Sequence, residues 1–358
     1  MNYMIYPYSE SVLPIIENVE MFRTDINISA AIVPPAWSKN IRKPLPKKIR
    51  IETDFYSEIK KVDGVIIIEN TNGSFMIDDI EEKINYSIGI SKDVICCTKH
   101  LKTNFEKFEN AAHLNNCKFA YTVNSELQTK GLWTYQIQES VVVGIGNMLR
   151  GMDTTNIIVN MARQYRNLGY RVVSISSNAA CALLGFKIFP DGIFNADMAF
   201  ENVVHIINNY FNNIQLLYQP DIILVQFPDA MIKYSNLCPE DYAVKAYILS
   251  QALSIDYFIL NVPVEMIDEK DYEKISESFK YRFGFELDAV LFEHIQVNDS
   301  ASIEEERIVF EPISTSLADE YIKYLSSKTE NILFLDLENA DSFSLVANDT
   351  ISKLERGE

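Results

Sequence analysis

The chain has 358 residues, more than one typical domain, and 47% of them are hydrophobic, so it can bury ordinary cores. Its formal net charge of −18 argues against nonspecific binding to nucleic acid or to anionic membranes, because both require a positive surface. The same charge suits a basic protein or peptide partner, or simply keeps the protein soluble in the cytosol.

The N-terminal segment MNYMIYPYSE has neither the basic nor the apolar region of a signal peptide, and every apolar run is too short to span a bilayer. Five cysteines without a CxxC pair indicate reduced thiols. The four histidines show no metal-ligand spacing with another histidine or a cysteine, so no metal site is predicted. We expect a cytoplasmic protein that binds neither nucleic acid nor membranes.

The first third of the chain alternates short apolar runs with helical patterns. The strand YMIYPY is followed by the helix SVLPIIENVEMF, with Ser9 or Ser11 as possible caps. Asp54 is the expected cap of a second helix, DFYSEIKKV. The run DGVIIIEN is almost wholly apolar, as in a strand buried on both faces of a parallel sheet. About four such repeats predict an open parallel sheet covered by helices.

A polar, irregular segment, NSELQTKGLWTYQIQES, interrupts this alternation. It places a domain boundary near residues 123–138, giving one domain over residues 1–130 and a second over 131–358.

The second domain begins again with a strand, VVVGIG, and a long helix, TTNIIVNMARQYRNLG, which Gly169 should end. Further strands are predicted at YRVVSISSN, DIILVQFPDA, DYFILNVPV and LDAVLFEHIQV, with helical patterns between most of them. The predicted fold class is α/β, with two tandem doubly wound, mainly parallel sheets: a Rossmann-like N-terminal domain and a degenerate P-loop-like C-terminal domain.

The start of the second domain has the layout of a phosphate-binding loop, in which glycine amides, a helix N-terminus and a lysine hold phosphates. The pattern is G-x-x-x-x-G-K-[ST], and Gly146 and Gly151 have its glycine spacing. Met152 stands where the lysine should be, and Asp153 where the serine or threonine should be. Ordinary ATP or GTP hydrolysis is therefore not expected.

Three interpretations of this loop remain open. Arg150 could replace the missing lysine, so that the loop binds a nucleotide with Mg²⁺ or another anionic ligand. Asp153 is equally an ordinary helix N-cap, in which case the glycines serve only a turn. A dinucleotide fingerprint would require glycine at position 149, which is Leu149, so that interpretation fits poorly.

Other polar residues follow neighbouring strands, whose carboxyl ends meet at one edge of such a sheet. Ser176, Ser177 and Asn178 end one strand pattern. Another ends with Gln226 and Asp229, where a phosphate-binding enzyme keeps its magnesium-linked acid. Each could equally belong to a polar loop. The candidate ligand-binding set is Gly144, Gly146, Asn147, Arg150, Gly151, Asp153, Thr154, Thr155, Ser176, Asn178 and Asp229. No catalytic residue is assigned.

Several whole phrases of the sequence resemble one known family. They are MIYPYSESVLPII, AIVPPAW, GYRVVSISSNAACALLGFKIFPD, PDIILVQFPDAM and FKYRFGFELDAVLF, in this order. The chain resembles clostridial peptide maturation system proteins, which are encoded beside cysteine-rich or bacteriocin-like precursor peptides and their modifying enzymes. The resemblance implies a cytosolic protein that works on a ribosomally made peptide. A looser similarity is to proteins that join a Rossmann-like domain to a P-loop-like domain.

These observations leave three functional hypotheses. The first is an accessory protein that binds a precursor peptide or its modifying enzyme, with or without a nucleotide. The second is an NTP-dependent ligase, kinase or transferase that uses Arg150 and Asp229 in an unusual way. The third is a two-domain scaffold without a ligand.

Overall fold

The structure, a computed structural model, describes residues 1–40, 45–46, 48–69, 77–99, 101, 103–123, 139–190, 193–194, 198–234, 242–264, 266, 269–328 and 332–356. The chain forms two compact units. One comprises Met1–Ser125 and Asn178–Phe189, and the other comprises Glu126–Ser177 and Pro190–Glu358. Most of the segment in which a boundary is predicted, residues 124–138, lies outside the described residues.

The first unit contains a parallel sheet with the strand order β3-β2-β1-β4-β5-β6. Rossmann folds have this strand order. Every residue of β4 is buried, as its apolar sequence predicts. The strands are β1 (Asn2–Tyr6), β2 (Asn27–Ile32), β3 (Arg50–Glu52), β4 (Gly64–Ile68), β5 (Asp93–Cys97) and β6 (Phe119–Tyr121).

The helices of the first unit test the N-caps that were predicted from the local sequence. The predicted cap Asp54 is confirmed, because its carboxylate accepts the backbone N–H groups of Tyr56 and Ser57 at 3.1 and 3.2 Å. Of the two possible caps Ser9 and Ser11, Ser9 stands at the N-cap position of a 3₁₀ turn (Glu10–Val12) that precedes α1, but its hydroxyl bonds to that of Ser11 at 2.8 Å and caps no backbone N–H group. The helices are α1 (Leu13–Phe22), α2 (Phe55–Glu58), α3 (Ile77–Gly89) and α4 (Phe105–Leu114).

The strands of the second unit form a parallel sheet in the order β15-β12-β11-β7-β10-β8. The predicted strand LDAVLFEHIQV is divided at His294, and its second part pairs with β14 in an antiparallel ladder. The strands are β7 (Val141–Asn147), β8 (Val172–Ser176), β10 (Ile222–Ala230), β11 (Tyr257–Pro263), β12 (Ala289–Glu293), β13 (Ile295–Val297), β14 (Phe310–Pro312) and β15 (Leu333–Asp336), and β9 (Lys187–Ile188) belongs to the first unit. The predicted fold class, α/β with two parallel sheets, is confirmed.

Helices connect these strands. Gly169 follows α5 with φ of +93°, a left-handed conformation that glycine adopts without strain, so the predicted helix end is confirmed. The helices are α5 (Thr155–Asn167), α6 (Phe200–Tyr218), α7 (Val244–Ala252), α8 (Glu269–Phe283), α9 (Asp299–Glu304), α10 (Thr315–Ser326) and α11 (Ala340–Arg356).

The order of the second sheet defines a topological switch point. The chain leaves β7 for β8 on one side, whereas it leaves β11 for β12 on the other side. In open α/β sheets, ligands bind in the crevice at the carboxyl ends of two such strands. The carboxyl ends of β7 and β11 are therefore where a ligand site of this unit is expected.

Glycines in β7 allow aromatic side chains of neighbouring strands to approach its backbone. A Cβ atom on Gly144 would lie 2.6 Å from Phe258 Cδ2, and one on Gly146 would lie 2.8 Å from Phe258 Cζ. Phe258 is fully buried and stacks on Phe285, with ring centroids 4.5 Å apart. This packing accounts for both glycines without a ligand.

We predict that Gly144→Ala destabilises the protein by about 1–3 kcal/mol, because the added methyl group overpacks the core against Phe258. Urea unfolding without any ligand measures this change. The matched control is Gly89→Ala at the end of α3, where a Cβ atom meets nothing within 4 Å. That substitution should be neutral or slightly stabilising. Equal stabilities of the two variants would contradict the packing explanation.

Candidate functional site

Five polar side chains lie on one face of the second sheet, at or near its carboxyl edge. Residues paired in register share a face, and residues two apart along a strand do so too. Gln226 pairs with Ile145, Asn147 pairs with Asn261, and Asn261 pairs with Leu291. The face therefore carries what we call the polar row: Ser176, Gln226, Asn147, Asn261 and Glu293.

One part of the polar row fixes the start of α5. The buried amide of Gln226 donates from Nε2 to the Thr154 hydroxyl at 2.6 Å. Its Oε1 accepts from the Ser176 hydroxyl at 2.6 Å and from the Ser177 N–H at 3.0 Å. Because a backbone N–H can only donate, the orientation of this amide is determined. Thr154 and Ser176, both predicted site residues, are thus joined by a residue outside the predicted set.

The loop after β7 continues the strand before it turns. The Met148 N–H donates to the Asn261 carbonyl at 2.8 Å, which extends the ladder between β7 and β11. The side chains of Met148 and Leu149 are buried. Gly151 has φ of +91° and lies, like Arg150, exposed on the turn that follows. The loop therefore begins with buried apolar side chains.

Asp153 places a carboxylate at the N-terminus of α5. Its Oδ1 accepts the Thr155 N–H at 2.8 Å and also the Thr155 hydroxyl. The residue at the N-cap position is Thr154, so the capping carboxylate comes from one residue earlier than that position. Burial raises the pKa of Asp153, while the two hydrogen bonds from Thr155 lower it. The protein's own carboxylate thus occupies the helix end that would otherwise attract an anion.

The other part of the polar row leaves one buried oxygen without a partner. Asn147 donates from Nδ2 to the Met152 carbonyl at 3.0 Å, so its Oδ1 faces Asn261. Asn261 then donates from Nδ2 to Asn147 Oδ1 at 3.1 Å and to Glu293 Oε2 at 3.2 Å. Its own Oδ1 is buried, and no donor of the described residues reaches it. A buried acceptor without a donor costs free energy, so it marks a position where a ligand or water is expected.

Two predicted site residues lie away from the polar row. Asp229 lies within the register shift between Gln226 and Ala230 of β10, has φ of +59°, and pairs with Lys245 Nζ at 2.7 Å. Asn178 belongs to the first unit, where its side chain accepts the Ala180 N–H at 3.0 Å and caps a 3₁₀ helix.

The predicted set does not include Gln226, Asn261 and Glu293, although the sequence contains a signal for the first two. Each is a polar residue inside an otherwise apolar strand, in LVQF and ILNV. A buried polar side chain needs partners, so such an interruption indicates a network or a site. The pairing of Asn147 with Asn261 depends on strand order, which the sequence does not show.

The carboxyl edge of the first sheet has a different character. The hydroxyl of Tyr6, the last residue of β1, donates to Asp79 Oδ2 at 2.5 Å. Lys83 pairs with the same carboxylate, and its Nζ lies 4.8 Å from the centroid of the Tyr6 ring. Burial raises the pKa of Tyr6. These three side chains satisfy one another.

An apolar groove lies on the surface of the second unit between α6 and α7. Its cavity has a volume of about 540 Å³, and an adjoining cavity of about 300 Å³ shares Phe200, Val244 and Ile248 with it. Phe200 is 63% exposed, and Val244 and Tyr247 are each 46% exposed. We call the residues Phe200, Val204, Val244, Tyr247 and Ile248 the α6–α7 groove. A larger cavity of about 930 Å³ surrounds Pro220 at the amino ends of β7 and β10, away from the polar row.

Two features are absent from the described part of the chain. No group of three or more His, Cys, Asp or Glu side chains there could hold a metal ion. No described helix is long and apolar enough to cross a membrane.

Comparisons with known proteins establish the fold. Neither the protein-family models nor the curated proteins give a match. A DUF1611 family protein from Anabaena variabilis superposes over 98% of this chain and 99% of its own, with a TM-score of 0.60 and 8% identity. At that identity the likeness concerns the fold alone.

Weaker likenesses are to a GTPase from Pyrococcus abyssi and to the signal recognition particle receptor FtsY from Elizabethkingia anophelis. The first covers 60% of this chain and 97% of its own, with a TM-score of 0.32 and 14% identity. The second covers 83% of this chain and 91% of its own, with a TM-score of 0.32 and 10% identity. Scores this low support no conclusion about this chain.

We predict that Gln226→Leu destabilises the second unit by about 1–3 kcal/mol, because it removes the hydrogen bonds that the Gln226 amide makes to the buried hydroxyls of Thr154 and Ser176. Urea unfolding, followed by the loss of helical circular dichroism, measures the change. The control Gln164→Leu alters a half-exposed glutamine of α5 and should change stability by less than about 0.5 kcal/mol. An unaltered stability of the Gln226→Leu variant would contradict the idea that Gln226 fixes the start of α5.

A second prediction concerns pH. Because the folded state raises the pKa of Asp153, its contribution to stability is most favourable at low pH and declines as the pH rises through the folded-state pKa. Asp153→Asn retains an acceptor for Thr155 and removes the charge. The variant should therefore be more stable than wild type at pH 7.5, and the difference should shrink at pH 4. Denaturant midpoints at the two pH values test this, and a difference that grows on acidification would contradict it.

Proposed function

We propose that the chain is an accessory protein of peptide maturation in the cytoplasm, which binds a ribosomally made precursor peptide or the enzyme that modifies it. The α6–α7 groove is the observation that carries this proposal. A peptide needs an exposed apolar surface with aromatic side chains, and an exposed apolar patch of this kind is usual at binding sites. The family resemblance of the sequence supports the same role.

The groove has a buried apolar residue in its lining and exposed aromatic side chains beside it. Ile248 is 5% exposed and forms part of its lining, whereas Phe200 and Tyr247 present much of their rings to solvent. Aromatic side chains contribute large contact areas at little entropic cost, so they are frequent anchors of binding energy. Glu201 and His205 are polar residues of the lining.

Charge indicates which peptides this groove should prefer. The net charge of −18 favours encounter with a basic partner over an acidic one. A peptide with apolar residues flanked by lysine or arginine would therefore be bound best.

The alternative, an NTP-dependent ligase, kinase or transferase, has weaker support. A phosphate at the start of α5 would meet the Asp153 carboxylate, which already accepts the Thr155 N–H. The Thr154 hydroxyl, which belongs to the candidate ligand-binding set, is buried and accepts from Gln226. Nucleotide binding at the loop would require both contacts to be broken. We therefore infer a binding role without nucleotide hydrolysis.

Calorimetry with a synthetic peptide of apolar residues flanked by lysine and arginine tests this function. We predict micromolar affinity for the wild-type chain and a loss of about tenfold on Tyr247→Ala, a change of about 1.4 kcal/mol. The matched control is Tyr281→Ala, which removes a 79% exposed tyrosine of α8 outside the groove and should leave affinity unaltered.

Two results would count against the proposal. One is a peptide that binds neither this chain nor a complex of the chain with its modifying enzyme. The other is a rise in the melting temperature with MgATP or MgGTP, which would favour the NTP-dependent alternative.

A further inference from the structure

The carboxyl edge of the second sheet is rich in hydrogen-bond acceptors at its switch point. Asn261 Oδ1 is buried without a donor, and Glu293 Oε2 accepts from the amide nitrogen of the same residue at 3.2 Å. Asp153 adds a carboxylate to the loop after β7. A phosphate group is an anion and offers mainly acceptors at neutral pH, so it is a poor match for an edge that carries a carboxylate. The edge instead matches a ligand that donates hydrogen bonds.

We propose that the switch point between β7 and β11 binds an organic cation, a guanidinium or an alkylammonium group, through Asn261 Oδ1 and the Glu293 carboxylate. The site lies within the second unit and does not depend on the α6–α7 groove. An organic cation can donate to both acceptors, whereas a hard metal ion would need several more oxygen ligands than Asn261 and Glu293 supply.

The orientation of the Asn261 amide supports a donor rather than an acceptor as the ligand. The Met152 carbonyl can only accept, so Asn147 must direct its Nδ2 to Met152 and its Oδ1 to Asn261. Asn261 must then direct its Nδ2 to Asn147 Oδ1, and the same nitrogen reaches Glu293. Turning this amide over would place two oxygens together, so Oδ1 is the atom left for a ligand.

The spacing of the two acceptors suits a guanidinium group. The oxygen and nitrogen of one amide are roughly 2.3 Å apart, so Asn261 Oδ1 and Glu293 Oε2 lie no more than about 5.5 Å apart. The planar fork of a guanidinium can donate to two acceptors at such a separation. Asn147 and Glu293 are half-exposed, so solvent reaches both neighbours of the buried amide.

Calorimetry of the full chain with L-arginine amide tests this site. We expect submillimolar binding to the wild-type chain and at least a tenfold loss on Glu293→Gln, which keeps the size of the side chain and removes its charge. Citrulline amide, which has a neutral urea in place of the guanidinium, should bind at least tenfold more weakly. Thermal melting of Glu293→Gln establishes that the variant is folded.

The matched control is Glu338→Gln, which removes a 44% exposed carboxylate after β15. It should bind L-arginine amide as the wild-type chain does. Equal losses in the two variants would reveal only general attraction to an acidic protein and would overturn the proposal. The absence of binding at roughly 10 mM L-arginine amide would also overturn the proposal, because such an affinity would be too weak to be useful. Displacement of L-arginine amide by an equal concentration of inorganic phosphate, at constant ionic strength, would overturn it as well.

Discussion

The central strand β7 packs against aromatic rings on one face and forms side-chain hydrogen bonds on the other, and the rest of the second unit depends on this difference. On one face, Gly144 and Gly146 leave room for the ring of Phe258, which belongs to a buried aromatic cluster. On the other face, Asn147 hydrogen-bonds to Asn261 of β11. Because side chains alternate along a strand, a shift of one residue would place Asn147 among the aromatic rings. Both faces therefore specify the same register.

That register explains why a phosphate-loop pattern in the sequence does not produce a phosphate-loop surface. The spacing of Gly146 and Gly151 matches the motif, but Gly146 lies inside β7, where Phe258 and Met231 pack against it. The loop then begins with the buried Met148 and Leu149. The start of α5 is held by Gln226 and capped by Asp153. The strand–loop–helix layout of the motif is thus retained, but the groups that would bind a phosphate contact other residues of the protein instead.

Local signals in the sequence predicted the elements well and the site only in part. Asp54 and Gly169 act through neighbours a few residues away, so their roles could be predicted from sequence. The partners of Asn147 and Thr154 are 114 and 72 residues distant in the chain. Those contacts depend on the strand order, in which β11 and β10 flank β7. No local pattern encodes that order, so Gln226 and Asn261 could be noticed as polar interruptions but not paired.

The carboxyl edges of the two sheets differ in a way that bears on ligand chemistry. In the first unit, Asp79 accepts from Tyr6 and pairs with Lys83, so each charge there has an opposite partner. In the second unit, Asn261 keeps a buried acceptor beside the Glu293 carboxylate. A group that is buried without a partner reduces stability, and such a cost is usual at functional sites. The missing partner must be a donor, and beside a carboxylate a charged donor is bound more strongly than a neutral one.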